Sequence, residues 1–177
     1  VEALGESTHG PAVGTGVTAE CFEHCGECER CRQGDYQLCR GYRHLGGFPH
    51  GTFSDLVVMP VASLFEVPES FSDAEAAMVE PLAVAVHAAG RAGIQPGDGL
   101  AVIGAGTIGL LCTAVAAELG AEPLRVLAEQ PHQAEAARRL GADRVVMLGD
   151  EDAVGALGEE GRGNGLHAAI DAVALGD

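Results

Sequence analysis

Three glycines at a fixed spacing constrain the fold of this chain more than any other sequence feature. Gly104, Gly106 and Gly109 follow the apolar run 100–103, which predicts a strand, and open the segment 107–119, which predicts a helix. In that context the first glycine permits a tight turn, the second lets a pyrophosphate approach the backbone, and the third lets helix and strand pack closely. The free N–H groups of such a helix start attract phosphates. The pattern therefore predicts a dinucleotide site that includes Thr107 and Ile108, with a glycine-rich turn that binds nothing as the alternative.

The chain after residue 93 alternates short apolar runs with helix-forming segments. Strands are predicted over 100–103, 124–128, 144–147 and 167–173, helices over 107–119 and 132–140, and an acidic stretch fills 150–160. Strands joined by such crossovers form a parallel, doubly wound sheet with right-handed connections. With 47% hydrophobic but only 4% aromatic residues, the core must be built from small aliphatic side chains. A full dinucleotide fold has about six strands in the order 3-2-1-4-5-6, so we expect a fragment that stops at strand four.

A carboxylate is expected at the end of the second of these strands, about 20 residues after the glycine turn. Glu129 lies at that distance, whereas Ala128 would take the position if the loop were one residue shorter. A carboxylate there accepts hydrogen bonds from the ribose hydroxyls and repels a 2′-phosphate. Glu129 therefore favours NAD over NADP, and an exposed loop carboxylate without a role is the alternative.

The part of the chain before residue 93 predicts strands, loops and two helix starts. Residues 13–17 predict a turn into a strand, and the β-branched end of 46–60 predicts another strand. Ser72 and Glu75 have the spacing of a capping box, which predicts a helix start. Pro81 fits the first turn of a second helix that extends to about Ala89.

Four cysteines predict a metal site in this first part of the chain. Cys25, Cys28, Cys31 and Cys39 have the spacing C-x2-C-x2-C-x7-C. Four thiolates complete a tetrahedral shell around Zn²⁺ and leave no open position, so the site is predicted to be structural. Disulfides or free thiols and an iron–sulfur cluster remain alternatives. Cys21, four residues upstream, is most simply a strand residue rather than a fifth ligand.

With both motifs in place, the chain resembles the zinc-containing medium-chain dehydrogenase/reductase family, in its alcohol and polyol branch. The branch includes sorbitol, threonine and butanediol dehydrogenases, and the segment 80–87, Glu-Pro-Leu-Ala-Val-Ala-Val-His, is similar to its Glu-Pro-Leu signature. The resemblance implies an α/β fold: part of a GroES-like, β-rich catalytic domain over 1–92, with a zinc lobe at about 21–45, then part of a Rossmann domain over 93–177. It also implies homo-oligomers, dimers or tetramers.

The resemblance implies a zinc-assisted transfer of hydride from a secondary alcohol or polyol to NAD. Glu80 would be the catalytic-site residue, either as a ligand of a catalytic zinc or as a group that holds its water; a plain helix-start residue is the alternative. His87 is expected to be a packing histidine. The family's catalytic Cys and its Gly-His-Glu segment lie upstream of the matching region. We therefore expect no turnover from the 177-residue chain alone.

Charge and composition exclude several other classes of function. With 10 Lys+Arg and 26 Asp+Glu the net charge is −16, which argues against nucleic-acid and anionic-membrane partners. Residues 100–117 are uncharged, but their glycines and the following Glu118 argue against a membrane span. The uneven cysteine spacing favours a reducing cytoplasm over a secreted scaffold. A non-catalytic, zinc-stabilised nucleotide-binding or interaction module remains the alternative function, and an iron–sulfur electron carrier a third; the sequence does not identify the alcohol.

Overall fold

A computed structural model of the protein describes residues 1–45, 51–149, 152–158 and 165–173. The chain divides into two compact units, Val1–Glu80 and Pro81–Asp177. This boundary lies twelve residues before the predicted one at 92/93. The difference has a physical reason: Ala85 and Ala89 are fully buried in the same hydrophobic cluster as the strands that follow them. The assignment of a catalytic and a cofactor domain to the two units stays a prediction.

The first unit is built from short strands and turns. Strand β1 (Val17–Ala19) pairs antiparallel with β4 (Leu64–Glu66), and β2 (Phe22–Glu23) pairs antiparallel with β3 (Arg43–His44). Helix α1 (Glu29–Arg32) and a 3₁₀ turn (Tyr36–Leu38) connect β2 to β3, and a second 3₁₀ turn (Val61–Ser63) leads into β4. The predicted turn into a strand at residues 13–17 is thus confirmed.

The strand predicted to end at Pro60 is not formed in the part that the structure describes. Residues 46–50 lie outside the described residues, and residues 51–60 contain no strand. Phe53 and Val58 are almost fully exposed, and Leu56 is 71% exposed. A strand needs hydrogen bonds from a neighbouring strand, and the β-branched Val57 and Val58 belong to no strand within the described chain. The prediction was wrong here because local preference alone does not supply that neighbour.

The predicted capping box is confirmed. Helix α2 (Asp73–Ala77) begins after Ser72, whose hydroxyl accepts the N–H of Glu75 at 3.3 Å while the Ser72 N–H donates to the Glu75 carboxylate at 2.8 Å. These hydrogen bonds from Ser72 hold the pKa of Glu75 below its usual value. Helix α3 (Val79–Ala92) follows, and Pro81 lies in its first turn as predicted, where its missing N–H costs little.

The second unit contains a four-stranded parallel sheet. Its strands are β5 (Leu100–Ile103), β6 (Leu124–Ala128), β7 (Arg144–Met147) and β8 (Ala168–Asp171). The order across the sheet is β7-β6-β5-β8, which is the 3-2-1-4 order that the alternation predicts. The connecting helices are α4 (Thr107–Glu118), α5 (Pro131–Arg139) and α6 (Ala153–Gly158), the last within the acidic stretch whose ends, 150–151 and 159–160, lie outside the described residues.

The core of this unit combines branched strand residues with small helix residues. Leu100, Val102, Leu124 and Val126 are fully buried. Helices α4 and α5 approach each other so closely that a Cβ atom at Gly141, which follows α5, would lie 2.6 Å from the Cβ of Ala117. Small residues are what permit such close layers. The small aliphatic core expected from the low aromatic content is thus present in this unit.

No helix among these residues has both the length and the apolarity needed to cross a bilayer. The uncharged stretch 100–117 is divided between β5, the glycine turn and α4.

Two polar side chains secure the connections of the sheet. Arg125, only 6% exposed on β6, donates to the carbonyl of Leu157 in the last turn of α6 at 2.6 Å, where a cation is favourable. His167 lies just before β8, and its ring Nδ1 atom accepts a hydrogen bond from the N–H of the buried Gly99 at 2.8 Å. The backbone N–H of His167 donates to the Gly99 carbonyl at 2.7 Å. His167 thus joins the beginnings of β5 and β8.

Substitution His167→Ala is expected to lower the free energy of unfolding by about 1–2 kcal/mol, because it leaves the buried Gly99 N–H without an acceptor. His167→Asn keeps an acceptor oxygen at a similar position and should lose less. Urea unfolding followed by circular dichroism measures both values. Equal stability of His167→Ala and the wild type would contradict this role.

Candidate metal centre and dinucleotide turn

The four predicted metal ligands lie together. Cys25 follows β2, Cys28 precedes α1, Cys31 lies on α1, and Cys39 follows the first 3₁₀ turn. Their sulfur atoms all lie within 4.8 Å of one another. Four of the pairs are separated by 3.5–4.0 Å. Around a tetrahedral Zn²⁺ with Zn–S bonds of 2.3 Å, neighbouring sulfurs are about 3.8 Å apart, so the arrangement fits one such ion.

The backbone around the cluster favours thiolates. N–H groups of Cys25 and Gly41 donate to the sulfur of Cys39, and the N–H of Cys28 donates to the sulfur of Cys25. Hydrogen bonds from the backbone, that of Cys31 first, lower the pKa of Cys28 to about 6, and the Cys25 N–H lowers that of Cys39. Burial raises the pKa of Cys31 to about 12. A divalent cation would favour the thiolate form of all four.

The spacing of the four sulfurs argues against the two alternatives, disulfides and an iron–sulfur cluster. None of the six cysteines, all of which the structure describes, forms a disulfide, and the shortest sulfur–sulfur separation in the cluster, 3.5 Å, is far longer than a disulfide bond of about 2.05 Å. In a four-iron cluster each thiolate ligates a different iron, which spreads the sulfurs more widely than a single ion does. The close spacing therefore favours a single metal ion.

An aromatic cluster supports the metal lobe, and sequence reasoning missed it. The ring of Phe22 lies 6.1 Å from that of Tyr36 and 5.4 Å from that of Tyr42, and His24 stacks on Tyr36 at 4.7 Å. The Tyr36 hydroxyl donates to Glu20 at 3.1 Å. The available signal was compositional: both tyrosines of an aromatic-poor chain flank Cys39.

Glu80 lies at the beginning of α3 with an exposed side chain. Within the described residues, the four cysteines are the only group of three or more side chains placed to share a metal ion, so Glu80 has no companion ligands there. Cys21 lies beside Glu80: burial, and then the Glu80 charge, raise the pKa of its thiol.

His87 is exposed on α3, so the expectation of a packing histidine was wrong; the buried face of α3 is formed by Ala85 and Ala89.

The three glycines of the turn differ in what surrounds them. Gly104 has φ of +93°, in the left-handed region, and a Cβ there would lie 2.7 Å from Val173. A Cβ at Gly109 would lie 1.9 Å from the carbonyl oxygen of Gly104, which means that α4 packs directly on the turn. A Cβ at Gly106 would meet nothing within 4 Å, so space is open on that side of the backbone. These surroundings match the three roles that the spacing predicts.

Helix α4 begins directly at this turn. Its N-cap residue is Gly106, which has no side chain to cap the first N–H groups. Thr107 and Ile108 lie in the first turn. The first N–H groups of a helix have no partner inside the helix and carry partial positive charge. Because β5 is flanked by β6 and β8, the turn lies where the strand order reverses, the usual ligand position in such sheets.

Glu129 is the first residue after β6 and its side chain is exposed, whereas Ala128 is the last residue of that strand and is fully buried. The Glu129 N–H donates to Gln133 on α5 at 3.1 Å, which fixes its backbone near the carboxyl end of the strand. Glu129, rather than the buried Ala128, therefore supplies the carboxylate at the carboxyl end of β6. The ribose contact itself stays a prediction.

Comparison with known proteins finds one matching family and several related dehydrogenases. Residues 1–69 match the alcohol dehydrogenase GroES-like domain family. The chain is 36% identical over 155 residues to sorbitol dehydrogenase of Bacillus subtilis, covering 87% of this chain and 44% of that protein. It is 32% identical over 171 residues to L-threonine 3-dehydrogenase of Alteromonas mediterranea, covering 97% of this chain and 50% of that protein.

Solved structures agree with these relatives. A protein described as a short chain alcohol dehydrogenase, from Escherichia coli CFT073 and solved with NADH, superposes with a TM-score of 0.88 at 27% identity; the match covers 98% of this chain and 51% of that one. The chain thus spans about half the length of the relatives it matches. Together with the parallel sheet, the comparisons confirm the predicted GroES-like and Rossmann fold class. The chain belongs to the zinc-containing medium-chain dehydrogenase/reductase family, in its alcohol and polyol dehydrogenase branch.

Proposed function

We propose that this chain is part of a zinc- and NAD-dependent oxidoreductase that transfers hydride from a secondary alcohol or polyol to NAD. The observation that carries the proposal is the glycine turn at the sheet's switch point, at the start of α4. The open space beside the Gly106 backbone and the N–H groups of the helix can hold a pyrophosphate. The Glu129 carboxylate can accept hydrogen bonds from the ribose hydroxyls. Because Glu129 is anionic, NAD is favoured over NADP.

The cysteine cluster has a structural role in this proposal. Four thiolates leave no open position on Zn²⁺, so the ion stabilises the lobe around Phe22 and Tyr36 rather than reacting. Few apolar side chains are buried in this lobe, with Cys39 its only buried hydrophobic residue among those described. Metal binding then supplies stability that a hydrophobic core supplies elsewhere.

Substitution Cys31→Ser should abolish stoichiometric zinc binding and lower the melting temperature of the first unit, since the site loses one of four ligands. Cys21→Ser is the matched control: it removes a thiol outside the cluster, and we expect it to retain one zinc per chain. Elemental analysis of the purified variants, with thermal unfolding before and after chelation, measures both effects. Undiminished zinc in Cys31→Ser, or bound iron with visible absorbance in the wild type, would contradict the assignment.

The glycine turn offers a second pair of matched substitutions, Gly106→Ala and Gly109→Ala. Gly106→Ala places a methyl group where the pyrophosphate should lie but where the protein itself leaves space, at a φ of −74° that alanine adopts. It should therefore fold like the wild type and bind NADH at least tenfold more weakly. Gly109→Ala collides with the Gly104 carbonyl and should destabilise the unit itself. Fluorescence titration with NADH and thermal unfolding separate the two; wild-type NADH affinity in Gly106→Ala would contradict the proposed site.

In the whole enzyme, the residues of this chain would mainly bind and orient the dinucleotide and the catalytic zinc. The α4 N-terminus and Glu129 would hold the dinucleotide, and Glu80 would ligate a catalytic zinc or hold its water. When bound, the metal supplies a Lewis acid for the alcohol oxygen and the nicotinamide accepts the hydride. Sugar alcohols, diols and amino-alcohols all fit this chemistry, and the relatives include a sorbitol and a threonine dehydrogenase.

A second candidate is a non-catalytic zinc-stabilised nucleotide-binding or interaction module, which the cysteine cluster and the glycine turn support equally well. Both candidates predict that the 177-residue chain binds zinc and NADH. The coding sequence upstream of Val1 separates them. A Cys and a Gly-His-Glu segment there would support the dehydrogenase, whereas a start codon at Val1 would favour the module.

For the 177-residue chain itself we expect no formation of NADH from NAD with sorbitol, butanediol or threonine, because one carboxylate does not hold a catalytic zinc. Absorbance at the NADH band, with a complete sorbitol dehydrogenase as positive control, provides the measurement. Alcohol-dependent NADH production by this chain would show that its own residues complete the site.

A reducing cytoplasm stays a proposal, which suits four zinc-bound thiolates and two further cysteines without a disulfide. A homo-oligomer, dimer or tetramer, stays a proposal that rests on the resemblance to the family.

A further inference from the structure

Asp171 is a carboxylate at the switch point to which the function described above gives no role. It is the last residue of β8 and lies opposite Ile103, the last residue of β5, in the parallel register. Gly104 follows Ile103 directly, so Asp171 lies beside the beginning of the glycine turn. Its side chain is exposed, whereas the preceding Ile170 is buried.

The residues after Asp171 form one wall of the turn. The Ala172 N–H donates to the Ile103 carbonyl at 2.9 Å, which extends the pairing of β8 with β5 by one residue. Val173 approaches Gly104 so closely that its Cγ2 atom lies 2.7 Å from the position a Cβ would take there. Asp171 is therefore held in place by the same contacts that form the turn.

Among the residues that the structure describes, only one of the two carboxylate oxygens of Asp171 accepts a hydrogen bond. Oδ1 of Asp171 accepts the Val173 N–H at 3.0 Å, a short-range turn that an asparagine side chain forms equally well. A carboxylate has about four acceptor positions, so Oδ2 keeps full capacity for a ligand. The local turn alone does not require a negative charge at this position.

Asp171 and Glu129 lie on opposite sides of the turn. Glu129 follows β6 and Asp171 ends β8, and these strands are the two neighbours of β5. With about 4.8 Å between adjacent strands, the two strand ends are about 10 Å apart. A dinucleotide that crosses the switch point places its pyrophosphate at the turn and one nucleoside on each side. One acidic side chain is thus available on the side of each ribose.

We infer that Asp171 binds the ribose hydroxyls of the nicotinamide half of the cofactor, on the side of the glycine turn opposite to Glu129. The inference rests on the proposed function, because it requires that a dinucleotide occupies the turn. Its chemistry is hydrogen bonding only: the two ribose hydroxyls donate to the Asp171 carboxylate, and no covalent bond changes. A charged acceptor makes this contact stronger than a neutral amide would.

The test compares three variants with two probes that differ in length. Asp171→Asn keeps the turn to Val173 and removes the charge. Glu129→Gln removes the charge on the adenosine side, and Gly106→Ala blocks the pyrophosphate. The probes are NADH, which carries both nucleosides, and ADP, which lacks the nicotinamide half. Isothermal titration of the 177-residue chain gives the dissociation constants, and thermal unfolding verifies that each variant is folded.

We expect Asp171→Asn to bind NADH about tenfold more weakly and ADP as tightly as the wild type. Glu129→Gln should weaken both probes, and Gly106→Ala should weaken both more strongly. Unchanged NADH affinity in Asp171→Asn, or an equal loss for NADH and ADP, would overturn the inference while leaving the cofactor site intact. Failure of the wild-type chain to bind NADH would instead overturn the proposed function, and with it the inference.

Asp171→Ala distinguishes binding from folding. It removes the turn to Val173 as well as the charge, so it should lower the melting temperature, whereas Asp171→Asn should not. If both variants lose NADH affinity only in proportion to their loss of stability, Asp171 has a structural role alone and the inference is wrong.

Discussion

The contact between helix α4 and the turn after β5 is the constraint on which the second unit depends. A single carbon atom added to Gly109 would lie 1.9 Å from the Gly104 carbonyl, so the helix can start there only because position 109 has no side chain. That contact aims the helix N-terminus at the carboxyl end of β5. It also places the turn between β6 and β8, where two acidic residues end or follow the neighbouring strands. One steric requirement therefore sets both the fold and the position of the site.

The first unit is organised by different physics. Its strands are two or three residues long, and few of its side chains are buried. Four sulfurs and a small group of aromatic rings replace the aliphatic core of the second unit. In the proposed structural role of this cluster, the stability of the first unit would depend on a bound cation and on thiolate charge, both of which respond to pH and chelators. The two units should thus respond differently to the same change of solution.

The sequence predicted the features whose causes are local or periodic. The glycine spacing, the four cysteines, the capping box of Ser72 and Glu75 and the strand order could all be read in advance. Features that depend on a distant partner could not. The buried Arg125 donates its hydrogen bond to Leu157, which lies 32 residues away in the sequence. His167 accepts a hydrogen bond from Gly99, which lies 68 residues away. The apolar run before Pro60 was misjudged for the same reason, since a strand exists only beside another strand.

The exposed run that contains Phe53, Leu56 and Val58 has a consequence for the behaviour of the chain in solution. At neutral pH the net charge of −16 keeps neighbouring molecules apart, although this surface is apolar. Near the isoelectric point of about 4.6 that repulsion disappears while the apolar surface remains. Solubility is then governed by colloidal charge rather than by folding, and acidic purification steps are where the protein would come out of solution.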